Sequence, residues 1–170
     1  MSRNRFEKIT CSLARALDQA GDWWTFLIVR DALRGLDSFE EFLESLGIAR
    51  NILAARLNQL CADGLMKRSD DKQDARRSHY RLTSKGKALA PALVALMQWG
   101  DQWISGAGNE PIILKHRTSG EAVAPVRLRG GRNQLVSADE IEFTLGPGAD
   151  DAMRMKAKGR AKSVSKGSTE

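Results

Sequence analysis

Between residues 50 and 58 the sequence RNILAARLN offers hydrogen-bonding chemistry rather than catalysis. At about 100° per residue, Asn51, Ala55 and Asn58 share one side of a helix and Leu53, Leu57 and Leu60 the other. Arg50, Ala54, Arg56 and Gln59 lie on the flanks. A helix that only met solvent would more often carry Glu and Lys on its outer side. Here that side is amide and methyl, edged by arginine. A carboxamide pairs bidentately with adenine, and alanine can approach a thymine methyl. The pattern is suited to reading base edges, with Arg50, Asn51, Ala54, Ala55 and Asn58 as the candidates.

The charge around this helix agrees. Residues 50–87 hold ten lysines and arginines against four aspartates, net +6, equal to the formal net charge of the whole chain. A basic block inside a neutral body points to a polyanionic partner, here double-stranded DNA. Arg56, Lys72, Arg76, Arg77 and Lys85 are the candidate phosphate contacts.

These side chains need a frame. The pattern predicts a first helix from Thr10 or Ser12 to about Ala20, with Leu13, Ala16 and Leu17 on one face. Asp22 caps a second helix that ends at Gly35. Ser38 and Glu41 form a capping box that opens a short third helix. Gly47 supplies the turn into the helix that begins near Ala49, and two short helices joined this way form a helix-turn-helix. Residues 65–69 and 78–82 read as two strands of a basic hairpin. Thr83 then caps a long final helix that Pro91 should kink or divide. Its apolar stripe, Leu89, Leu93, Leu96, Trp99 and Trp103, has little core of its own to cover. With Leu13 and Leu17, the residues Leu93, Leu96, Trp99 and Trp103 form the expected homodimer interface.

The expected fold is therefore mainly α with a small β-hairpin wing, a winged helix-turn-helix over residues 10–105. Residues 1–9 are expected to be a flexible N-terminus. Residues 106–149, where prolines and glycines separate β-prone runs such as IILKHR and EIEFTL, are expected to form a small β-rich extension. Residues 150–170 are expected to be a disordered basic tail.

Other classes find little support. Two cysteines and two histidines without metal-ligand spacing argue against a zinc site or a disulfide framework. There is no Gly-rich phosphate loop and no Ser/His/Asp or Cys/His constellation, so no enzyme, cofactor or metal is expected. No apolar run reaches membrane-spanning length, and the first residues do not read as a signal peptide. A cytoplasmic protein is expected.

The stretches GDWWTFLIVRDALRG (residues 21–35), SFEEFLESLGIARNILAARLNQLCADGL (residues 38–65) and YRLTSKGKALAPALVALMQWG (residues 80–100), with Cys11 ahead of them, resemble the HxlR-type family of bacterial winged-helix regulators. The resemblance covers about residues 8–105. It implies a homodimer built from the first and last helices, a groove-entering helix from Ala49 to Ala62 and a wing on the backbone. It also implies a candidate redox sensor at Cys11, which opens a helix with Arg15 one turn later. The departures are Trp23, where the family often has a basic residue, Ser12, where it often has proline after the cysteine, and the lack of any cysteine after Cys61. The function implied is a sequence-specific transcription regulator, by default a repressor, on a palindromic operator. Two alternatives stand beside it. One is a MarR-like regulator with a small molecule or oxidant as signal and Trp23, Trp24, Trp99 and Trp103 around the ligand. The other is a nonspecific architectural DNA binder.

Overall fold

In the computed structural model, residues 10–70 and 78–157 are described. They group into two compact units, residues 19–127 and a second made by 10–18 with 128–157. The expected N-terminus at 1–9 lies outside the described residues, as does the tail from 158 onward.

Local chemistry sets the helices. α1 runs Ser12–Ala20. Asp22, in extended backbone, accepts the Trp24 N–H at 3.0 Å and opens α2, Trp23–Arg34. Ser38 accepts from the Glu41 N–H while Glu41 accepts from the Ser38 N–H, a reciprocal cap that fixes the start of α3, Phe39–Leu46. Gly47 ends α3 with φ 61° and returns its N–H to the Leu43 carbonyl. That left-handed step suits glycine, and it turns the chain directly into α4, Arg50–Ala62.

One face of α2, α3 and α4 is buried in a single cluster of Ile28, Phe42, Leu53, Leu57, Leu60, Leu65, Met66 and Tyr80. α2 also buries Asp31 completely. Its carboxylate accepts hydrogen bonds from Arg30 at 2.8 Å and from Ser45 of α3 at 2.8 Å. Burial pushes this carboxyl up, but the bonds from Arg30 and Ser45 and the charges of Arg30 and Arg34 outweigh it and hold it below its ordinary value.

After Gly64 the chain forms the wing. β1 (Met66–Asp70) pairs antiparallel with β2 (Ser78–Leu82), Met66 opposite Leu82 and Arg68 opposite Tyr80. Met66 and Tyr80 enter the core, while the rest of β1 is exposed. The Tyr80 N–H also donates to the Asp37 carbonyl, and Ser38 bridges His79. The start of the helix-turn-helix is thus bound to the wing.

Thr83 caps a helix, as its position predicts, but the helix is one turn long: α5 spans Ser84–Lys87. Gly86 explains its placement. A Cβ there would lie 2.1 Å from the Leu65 carbonyl oxygen, so only glycine lets α5 approach β1 this closely. α6 then restarts at Ala90–Gly100 with Pro91 in its first turn, where the missing N–H needs no partner. Pro91 therefore marks a division rather than a kink. α6 continues into a π-helical turn, Asp101–Ser105.

The extension departs from a regular β-structure. Lys115 bridges Ala122 and Arg129 bridges Leu135, but these are single antiparallel bridges, and no longer strand forms among described residues 106–149. Prolines 111, 125 and 147 interrupt the ladders, and the apolar side chains there remain largely exposed, so nothing templates a sheet. The first part of the extension belongs to the unit 19–127, held by Gln98 of α6. Its amide donates to the Ala124 carbonyl and accepts the Val126 N–H at 2.7 Å. Of the tail expected to be disordered from residue 150, only residues 150–157 are described. Residues 151–157 are helical, and Asp150 caps them by accepting the Met153 N–H at 2.8 Å.

Candidate nucleic-acid interface

α4 has the two faces that its spacing implies. Leu53 and Leu57 are wholly buried and Leu60 nearly so, which fixes the rotation of the helix. Asn51, Ala55 and Asn58 are exposed on the other side and Ala54 is half-buried at its edge. Ile52 is also exposed, between the two sets, and was not among the sequence candidates. An exposed isoleucine beside Asn51 adds an apolar contact to the same surface.

The arginines of α4 are engaged within the chain. Arg50, the first residue of the helix, donates from its two terminal nitrogens to the two oxygens of Glu40 at 2.8 and 2.7 Å. Its guanidinium carbon stands 5.5 Å from the centre of the Phe39 ring. The bonds from Arg50 hold the Glu40 carboxyl below its ordinary range, so the pair is fully charged at neutral pH. Arg56 pairs with Asp22 at 2.8 Å, and its Nε is buried without a hydrogen-bond partner among the described residues. Asp22 thus caps α2 with one oxygen and anchors α4 with the other. Arg56 was expected among the phosphate contacts. In the structure its charge is matched by Asp22 and 29% of the side chain is exposed.

The rest of the basic set divides. Lys85 is exposed and donates to the Asp63 carbonyl at the end of α4 at 2.7 Å, which places its ammonium beside that helix. Lys72, Arg76 and Arg77 lie outside the described residues. On the wing, Arg81 and His79 both meet Asp37, at 3.0 and 2.8 Å. Burial raises the Asp37 carboxyl, but hydrogen bonds from His79 and Arg81 and their charges bring it below its ordinary value.

Cys11 is exposed at the start of α1, and Cys61 is half-buried against the core, where burial pushes its thiol up. In the second unit Leu13 and Leu17 are exposed on α1. In the first, Leu96, Trp99 and Trp103 are exposed. Leu93, expected with them at a homodimer interface, is 6% exposed and already buried in its own chain. Trp99 and Trp103 also wall an open groove of about 550 Å³, together with Gln98, Asp101, Glu110 and Arg127.

Two helices across a glycine turn, the second amide-faced, followed by a two-stranded hairpin packed on the same core, define a winged helix-turn-helix protein. The comparison with known families makes the class specific. The HxlR-like helix-turn-helix family matches residues 20–107, and the chain belongs to it. The uncharacterised HTH-type transcriptional regulator Rv3095 of Mycobacterium tuberculosis is 38% identical over 137 residues, covering 81% of this chain and 87% of the relative. The solved structure of PA1607, a candidate transcription factor, is 41% identical with a TM-score of 0.75 and covers 81% of this chain and 96% of its own. The redox regulator HypR in its reduced form is 27% identical with a TM-score of 0.50, covering 53% of this chain and 90% of its own. The chain is a transcriptional regulator with a helix-turn-helix DNA-binding fold. Among its described residues no helix is long and apolar enough to cross a membrane.

Proposed function

We propose that this regulator acts as a cytoplasmic homodimer that binds a palindromic operator sequence-specifically and represses by occlusion. One observation carries the reading. Asn51, Ala55 and Asn58 are exposed on a helix whose opposite leucines are locked into the core, so the amide face has a fixed direction. Two such helices about 34 Å apart would enter successive major grooves. Base contacts fall to Arg50, Asn51, Ala54, Ala55 and Asn58. Phosphate contacts fall to Arg56 and Lys85 and to Lys72, Arg76 and Arg77, which lie between β1 and β2 in the sequence. The exposed Leu13, Leu17, Leu96, Trp99 and Trp103 support dimerisation.

Selection of bound genomic fragments at physiological salt tests this directly. Inverted half-sites are the expected yield. Uniform weak recovery that vanishes with salt would leave only an architectural role. On a selected site, Asn51→Ala should weaken specific binding by roughly 1–3 kcal/mol and leave random DNA unaffected. Equal loss on both would remove the readout role.

A signal-responsive reading has its own support. The groove walled by Trp99 and Trp103 is of a size that takes small organic ligands, and Cys11 is open to oxidants. Tryptophan quenching by aromatic ligands tests the first. For the second, Cys11→Ser should abolish any loss of operator affinity on oxidation, and an unchanged response would exclude the thiol.

A further inference from the structure

The pairing of Arg50 with Glu40 is more than a surface ion pair. It fixes a side chain with several rotatable bonds in two independent ways. The two-point contact with Glu40 sets the direction of the guanidinium, and the Phe39 ring supports it from 5.5 Å. Both partners are the first residues of α3, whose start is held by Ser38 and Glu41. The fold has no need of Glu40 as a cap, because Glu41 performs that task. Nor does stability account for the pair. Both side chains are about two-thirds exposed, and exposed pairs contribute little.

The pair does change what Arg50 can bind. A free arginine at this position would attract any phosphate. Beside Glu40 its charge is matched at contact distance, while the Nε–H and one further N–H on each terminal nitrogen take no part in the pair. Long-range attraction is reduced and directional donors remain. Adjacent Nε–H and Nη–H groups match the paired acceptors, O6 and N7, on the major-groove edge of guanine. We propose that Glu40 is a specificity-determining positioning residue, holding Arg50 so that it reads a guanine in the operator instead of gripping backbone. This rests on the reading of α4 as the helix that faces DNA.

A double-mutant cycle tests it in the full-length protein, with Glu40→Gln, Arg50→Ala and the double variant measured on a selected operator, its single-base substitutions and random DNA. Glu40→Gln should weaken operator binding about tenfold, with the loss confined to the same G·C pair that Arg50→Ala affects. On random DNA it should bind more tightly and show a steeper salt dependence, by about one ionic contact. The double variant should be no worse than Arg50→Ala. Additive losses, or equal change on operator and random DNA, would overturn the proposal. Asn51→Ala and Asn58→Ala serve as references. If they weaken operator binding while Glu40→Gln does not, the Glu40 role alone falls. If neither affects it, the α4 reading falls and takes the Glu40 role with it. Unchanged thermal midpoints for all variants keep misfolding out of the comparison.

Discussion

The helix-turn-helix body and the extension that follows it are both supplied with apolar residues, yet only the body converts them into a core. Ile28, Phe42, Leu53 and Leu57 are wholly buried in the body. In the extension Ile113, Leu128, Leu135 and Phe143 are exposed, Phe143 at 95%. The difference lies in what fixes direction. α2, α3 and α5 have ends set by Asp22, by Ser38 with Gly47, and by Thr83, while α4 lacks a side-chain cap and is oriented by Leu53, Leu57 and Leu60 in the core. The extension has β-prone runs broken by prolines and joined by single bridges. Strand propensity without a partner to pack on leaves side chains in solvent.

The largest effect should come from a matched pair of truncations. Leu57→Ala in the body should cost about 2–5 kcal/mol, since it empties a fully enclosed site between α4 and its neighbours. Ile113→Ala in the extension should change stability by less than about 0.5 kcal/mol. Denaturant midpoints for the two would separate by most of the stability of a small domain. Similar shifts would mean that the extension has a core of its own.

Next is the buried charge of the body. Asp31→Asn should cost about 1.5–3 kcal/mol at neutral pH, the range for charge-assisted hydrogen bonds. The pH dependence has a definite sign. The carboxyl is held below its ordinary value of 3.8 in the folded chain, so its stabilisation is complete above that value. It is lost as pH falls through the lower folded value. The wild type and Asp31→Asn should therefore converge in acid, with the gap widening as pH rises toward about 4 and constant above it. A gap that is constant across the range would assign the loss to shape rather than charge.

Gly86→Ala should cost about 1–3 kcal/mol, because β1 or α5 must move to relieve contact with the Leu65 carbonyl. The expected signature is a lowered melting temperature together with weaker DNA binding through a displaced wing. Gly100→Ala, where a Cβ meets open space, is the control and should be neutral or slightly stabilising.

What could be read from the sequence follows the same division. Caps and helix faces depend on residues three or four apart, so Asp22, the Ser38–Glu41 box, Gly47 and the outer face of α4 were legible. Arg56 with Asp22, Arg50 with Glu40 and Asp37 with His79 join separate elements, and no local spacing announces them. The pairing of Arg56 was hidden for that reason. A basic residue on a helix flank looks free until the fold brings a carboxylate to it. The burial of Leu93 was hidden similarly, since a stripe along α6 does not say which of its members its own chain already covers. The close approach that requires Gly86 is invisible until α5 and β1 are both placed.

The smallest expected effect probes the border between the two regions. Gln98 is the point where α6 holds residues 124–126, with one donated and one accepted bond to backbone. Gln98→Ala should cost only about 0.5–1.5 kcal/mol, because the backbone groups it frees can turn to water. Its consequence for exchange should be local. The Val126 amide should lose hydrogen-exchange protection while those of α4 keep theirs. Gln98→Glu makes the test sharper, since a carboxylate can still accept from Val126 but cannot donate to Ala124. If the extension is held by this amide, protection should return at Val126 in the Glu variant and not in the Ala variant. Equal protection in both would mean that packing around Trp99 and Trp103 holds the segment, and that the border belongs to the apolar groove.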